Sequence, residues 1–144
     1  MTREDLERLD DAGMSAWDAH DAEAFVSLFA DDFTWFDWGT PEPIRDRDGA
    51  RRFFSNWMTA FPDMRLTSRT RVVGDDAVAA EIEWTGTNTG PMQMGDAQVP
   101  PSNRRLTGRG SYIARARDGK IVEFRSHPDI AGMMMQLGMM QAAA

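Results

Sequence analysis

The sequence predicts an α+β fold in which helices come first and a curved antiparallel sheet follows. Two observations predict it. Apolar residues recur every three to four positions through the first 60 residues, then alternate every second position from residue 66 onward. The alternating runs are joined by short Asp/Gly-rich turns rather than by helices, which makes neighbouring strands antiparallel. A chain of 144 residues can bury one core, and no Pro/Gly-rich linker interrupts it, so a single domain over 1–144 is expected.

The elements follow in order. Thr2 and Asp5 form a capping pair for a helix over 3–19, whose apolar face is Leu6, Leu9, Gly13, Met14 and Trp17. Asp21 caps a second helix over 22–30, with Phe25, Leu28 and Phe29 as its buried stripe. The aromatic run 33–38 reads as a short strand and 39–43 as a loop. Asp48 caps a third helix to about residue 60, with Phe53, Phe54 and Trp57 facing inward. Four strands are then expected at 66–73, 77–86, 105–117 and 121–127. Gly74-Asp75-Asp76 and Asp118-Gly119 supply hairpin turns, because Asp and Gly tolerate the backbone that tight turns need. Residues 87–103, with three prolines and two glycines, read as one long loop. A last helix covers 130–140. Three helices against one curved sheet enclose an apolar cone, with Phe33, Trp35, Trp57 and Trp84 as candidate wall residues.

Composition narrows the function. There are no cysteines, so disulfides, thiolate nucleophiles and Cys-based metal sites are excluded. The net charge is −7, and residues 1–60 hold 14 acids against 6 bases, which disfavours nucleic acid as a partner. A single lysine, Lys120, sits in a turn, the wrong place for a Schiff base. No apolar run is long enough to span a membrane, and the acidic N-terminus is unlike a signal peptide, so a cytoplasmic protein is expected. With His20 and His127 as the two histidines, the ligands for a metal are too few. There is no Gly-x-Ser-x-Gly elbow, and Gly108-Arg-Gly110 lies within a strand, so neither an α/β-hydrolase nor a dinucleotide site is present.

What remains is carboxylate chemistry in an apolar pocket. Asp129 stands after a strand stopped by Pro128 and before an apolar helix, where desolvation could raise its pKa and make it a general base; the same placement suits a helix N-cap. His127 is two residues away and shares its face if the strand is unbroken. Asp37, at the end of the aromatic strand, is a second pocket acid. Arg109 binds an anion if it points inward and is a sheet-surface residue if it points outward. Met133, in the cluster 133–135 and 139–140, is either core packing or part of an adaptable lid.

These features resemble the SnoaL-like polyketide cyclases, ester cyclases of the nuclear transport factor 2-like fold. The resemblance is carried by His20-Asp21, Leu28-Phe-Ala-Asp-Asp32, Trp57 with Phe61-Pro-Asp63, Trp84-Thr-Gly-Thr-Asn-Thr-Gly-Pro91, Asp118-Gly-Lys-Ile-Val-Glu123, and Asp129 with Gln136-Leu-Gly138. It implies a cone-shaped α+β barrel and an intramolecular aldol ring closure of a hydrophobic polyketide ester, with neither metal nor cofactor. It implies Asp129 as the acid/base; His127, an imidazole close by in sequence, is expected beside it to orient or polarise a carbonyl. The family often carries His where this chain has Asn88, which can hydrogen-bond a carbonyl but cannot shuttle a proton. The expected ligand is a hydrophobic, oxygenated, ring-bearing molecule, and the expected assembly a homodimer through the outer sheet face.

Three other readings compete. Residues 30–43 also resemble the steroid isomerases of this fold, which would make Asp37 the base, but the oxyanion tyrosine of that group falls near Gly13 and no acid lies between Arg104 and Arg117. Epoxide hydrolases of the fold use an Asp–Arg–Asp group, and no Asp stands two residues from Arg109. A non-catalytic ligand-binding or dimerisation module would carry an isolated pocket acid as well.

Overall fold

The computed structural model describes residues 1–140. Helices α1 (Arg3–Asp18), α2 (Ala22–Val26) and α3 (Arg47–Ala60) pack on a five-stranded sheet, and a short α4 (Ile130–Gln136) closes one end. The strands are β1 (Phe29–Asp37), β2 (Arg65–Val73), β3 (Ala77–Thr87), β6 (Arg105–Arg117) and β7 (Lys120–Pro128), in the order β1-β7-β6-β3-β2. A separate hairpin, β4 (Met92–Met94) with β5 (Ala97–Val99), stands inside the segment expected to be one long loop.

The local chemistry explains these elements. The Thr2 hydroxyl and Asp5 carboxylate cap α1 reciprocally, and the Asp21 carboxylate caps α2. Helix α3 is capped by Asp46 instead of Asp48: the Asp46 carboxylate accepts the Gly49 N–H at 2.6 Å, while Asp48 lies in the first turn and pairs with Arg51. The first strand begins at Phe29, earlier than the aromatic pattern indicates, because α2 ends after five residues. The β6–β7 turn places Asp118 and Gly119 at φ of 53° and 81°, as the Asp-Gly pair anticipates.

The antiparallel expectation holds for β2–β3, β3–β6 and β6–β7, but β1 runs parallel to β7, so the sheet is mixed. The sequence conceals this because the two strands are joined through nearly the whole chain. Pairing Thr34 to Asp37 with Glu123 to Ser126 brings the end of β1 beside the end of β7.

The core has two parts. One is aromatic, built on Phe25, Phe29, Trp35, Phe54 and Phe124 between the helices and the sheet. The other gathers Phe61, Met64, Trp84, Leu106, Met133 and Leu137 toward α4. Between α1 and the sheet lies a buried polar knot. A bulge after Leu66 turns Arg69 and Arg71 of β2 toward α1, where Arg71 meets Asp10 at 3.0 Å and Asp11 at 2.7 Å. The Tyr112 hydroxyl donates to Asp10 at 2.5 Å. Burial, and then the Asp10 carboxylate, push that hydroxyl far above its ordinary pKa, so it stays a donor. Asp10 shares the buried stripe of α1 with Leu6, Gly13 and Met14, which is the sequence signal for this knot.

Among the described residues, no helix is long and apolar enough to cross a membrane.

Candidate functional site

A cavity of about 110 Å³ lies where the two parts of the core meet. Its walls are mostly apolar: Trp17 from α1, Trp35 from β1, Trp57 from α3, Trp84 from β3 and Phe124 from β7. Trp57 and Trp84 stand nearly perpendicular, 5.9 Å apart at 79°. Three of the expected wall residues, Trp35, Trp57 and Trp84, are thus brought together. Phe33 is buried in the aromatic core instead.

The polar centre of this cavity is Asp37. Strand alternation along β1 buries Phe33, Trp35 and Asp37 on one side, and Asp37 is 5% exposed. Its Oδ1 accepts the Ser126 hydroxyl at 2.5 Å, and its Oδ2 accepts the Gly39 N–H at 2.9 Å. Ser126 in turn accepts the Trp35 indole N–H at 2.8 Å, so the hydroxyl has one orientation and the carboxylate is held by a two-step relay. Gly39 is required at the turn, because an added Cβ would sit 2.9 Å from the Asp37 carboxylate. Burial raises the Asp37 pKa above the usual carboxylate value; the Ser126 hydroxyl, the Gly39 N–H and the charge of His127 oppose the rise without cancelling it. A desolvated carboxylate with a raised pKa, held rigidly in an apolar cavity, is suited to taking a proton from carbon.

Other expected site residues fall elsewhere. Asp129 is exposed, and its carboxylate caps α4 by accepting the Gly132 N–H at 2.9 Å. It does not line the apolar cavity, because Pro128 ends the strand and the chain turns into α4 before the carboxylate can point inward. His127 borders the cavity at β7, but strand alternation sends its side chain to the face opposite Ser126, where it packs edge-on against Trp38 at 4.8 Å. Its influence on Asp37 is therefore through charge rather than contact. Arg109 also borders the cavity, but its side chain runs outward, 75% exposed and 3.4 Å from Glu83.

Asn88 is a loop clamp rather than a cavity residue. Its side-chain NH2 donates to the Ala60 and Gly90 carbonyls, and its side-chain carbonyl accepts the Ser102 N–H. Nothing is left over for a ligand. Met133 is buried in the second part of the core beside Leu137, away from the cavity lining.

Ser126 escaped the sequence reading. Its signal is the inward alternation of Phe124 and Ser126 on β7, but its partner is known only once β1 is laid parallel to β7. Among the described residues, no group of three or more His, Asp or Glu side chains is placed to hold a metal ion.

Residues 7–137 match the SnoaL-like polyketide cyclase family. A stretch of 40 residues is 42% identical to nogalonic acid methyl ester cyclase of Streptomyces nogalater; it amounts to 28% of this chain and 30% of that protein. The chain therefore spans less than a third of that curated relative in the match. Among solved structures, AclR of Streptomyces galilaeus superposes with a TM-score of 0.84 at 22% identity, covering 99% of this chain and 87% of its own. TsrD of Streptomyces laurentii superposes with a TM-score of 0.82 at 22% identity, covering 97% and 99%. These structures share the fold: helices on a curved mixed sheet, of the nuclear transport factor 2 type.

Proposed function

This chain belongs to the SnoaL-like polyketide cyclase family, and from that premise we propose that it closes a ring in a hydrophobic polyketide-type ester by an intramolecular aldol reaction, with Asp37 as the base. The observation that carries the reading is the buried Asp37 carboxylate with a raised pKa, set in a cavity walled by tryptophans.

The proposed sequence needs no redox partner. Asp37 removes a proton from a carbon flanked by two carbonyls, and the electron pair delocalises onto oxygen as an enolate. The enolate carbon attacks a second carbonyl of the same molecule, forming a C–C bond and an alkoxide. The proton now on Asp37 returns to that oxygen, so substrate and product have the same mass. Ser126 and the Gly39 N–H position the carboxylate, and the tryptophan walls exclude water and hold flat rings.

The similarity to a methyl ester cyclase supports an ester as the substrate class. Asp37 also occupies the position that the steroid-isomerase resemblance gives to its base, so a proton shift without ring closure is the second reading.

The test is turnover of aromatic polyketide methyl esters and of unsaturated ketosteroids by the wild type, Asp37→Asn and Asp129→Asn, followed by mass spectrometry and NMR. The expected result is a ring-closed product of unchanged mass, lost by at least about a hundredfold in Asp37→Asn and retained in Asp129→Asn. Full turnover by Asp37→Asn overturns the assignment of the base. Turnover of ketosteroids with no ester cyclised overturns the ring closure.

A further inference from the structure

Proton abstraction next to a carbonyl needs two partners: a base for the proton and a donor for the oxygen that becomes negative. The base is Asp37 on the reading above, on which this inference rests. The usual donors are all engaged or turned away. The Tyr112 hydroxyl donates to Asp10, the Ser126 hydroxyl to Asp37, and the Asn88 NH2 to two backbone carbonyls. The side chains of His127 and Arg109 project from the other face of the sheet.

Trp84 is different. It lines the cavity and is 8% exposed, yet its indole N–H has no hydrogen-bond partner among the described residues, unlike that of Trp35. Among those residues no sealed side-chain nitrogen or oxygen lacks a partner, so this N–H opens on free volume instead of being trapped in packing. Its orientation is fixed by Gly108 on the facing strand β6. An added Cβ at Gly108 would come within 1.9 Å of Cε2 and 2.3 Å of Nε1, so the indole packs on the inward face of β6 where only a glycine leaves it room. Trp57 crosses it at 79° and limits its movement from the other side. The indole N–H is a donor that accepts nothing, so it can stabilise an oxyanion without competing with Asp37 for the proton.

The geometry points to the Trp84 indole N–H as the hydrogen-bond donor that holds the developing enolate oxygen in this cavity. Trp17 and Trp57 also present indole N–H groups with no partner among the described residues. Trp84 is favoured because it is the more buried and because Gly108 and Trp57 hold its ring in place.

The test uses the full chain with 15N-labelled tryptophan and two probes of the same shape, 2-naphthol and naphthalene. Naphthol carries the oxygen of an enolate mimic; naphthalene does not. The expected result is that both bind, that naphthol moves the Trp84 indole N–H signal downfield, and that naphthalene leaves it in place. Trp84→Phe, which keeps an aromatic wall, should weaken naphthol by about tenfold and naphthalene little. If Trp84→Phe does not fold, the labelled wild-type chain decides by itself. A naphthol-specific shift at Trp17 or Trp57 in place of Trp84 overturns the inference while leaving the aldol reading intact. Binding of both probes with no signal moved does the same. Failure of naphthol to bind overturns the inference, while the aldol reading is decided separately by the turnover of esters in wild type and Asp37→Asn.

Discussion

Ser126 donates its hydroxyl to Oδ1 of Asp37 across the parallel pairing of β7 and β1, at 2.5 Å, from a position 89 residues further along the chain. The carboxylate is buried by its own strand and steadied by the neighbouring one. This division between burial, which raises the pKa, and hydrogen bonding, which lowers it, governs how the site responds to pH.

On the proposed reaction Asp37 takes a proton as its ionised form, so activity should fall as pH drops through its folded pKa. Burial places that pKa above the ordinary 3.8, and the Ser126 hydroxyl is the first of the contributions that pull it back. Ser126→Ala should therefore move the acid limb of the kcat/KM profile to higher pH. A limb that stays in place, or moves lower, would show that Asp37 is not the titrating group.

The same burial costs stability. A carboxylate whose folded pKa is raised destabilises the fold above that pKa, and the penalty fades as pH falls toward the unfolded value of 3.8. Asp37→Asn should melt at a higher temperature than the wild type at pH 7, with the difference shrinking between pH 7 and 4. Thermal melts at several pH values would check this, and an active-site substitution that stabilises while removing turnover is the expected trade.

Asp129→Ala should cost about 1 kcal/mol, or roughly 3 °C in melting temperature, because α4 loses its cap. Asp129→Asn keeps a capping oxygen and should cost a few tenths of that, with turnover retained. Calorimetry on the two variants separates a cap from a base.

Asn88→Ala breaks three hydrogen bonds at a residue 2% exposed and should destabilise the fold by about 2–3 kcal/mol. Because the side chain does not reach the cavity, the affinity for cavity ligands in the folded variant should be unchanged. Denaturant melts and ligand titration of the same sample would test both halves.

The legible parts of the molecule were those written in local pattern. The capping pair of α1, the apolar face of α1 and the aromatic face of α3, the Asp-Gly hairpin and the alternating strands are each decided by residues a few positions apart, and the tryptophan walls followed from them. What was not legible depended on register and direction. Whether Asp37 or Asp129 is buried turns on which strand lies beside β7 and on where Pro128 releases the chain; neither has a signature in spacing. His127 shows the same limit, since two residues of separation from Asp129 mean little once the strand ends between them. Asn88 sat where the resemblance expects an imidazole, and its buried partners come from α3 and from the far end of the same loop, contacts that no short window contains.

The strand order also bears on how the molecule is assembled. In the sheet, β1 has β7 as its ladder partner, and β7 follows every other strand in the chain. Asp37 and its partner Ser126 lie 89 positions apart, so their pairing closes a long loop. Loop-closure entropy across that separation makes the β1–β7 pairing a late step. The β2–β3–β6–β7 meander can gather first around its turns, leaving the edge of β7 open for β1. The cavity and its carboxylate relay would then form together, at the end of folding, as β1 docks on the open edge of β7.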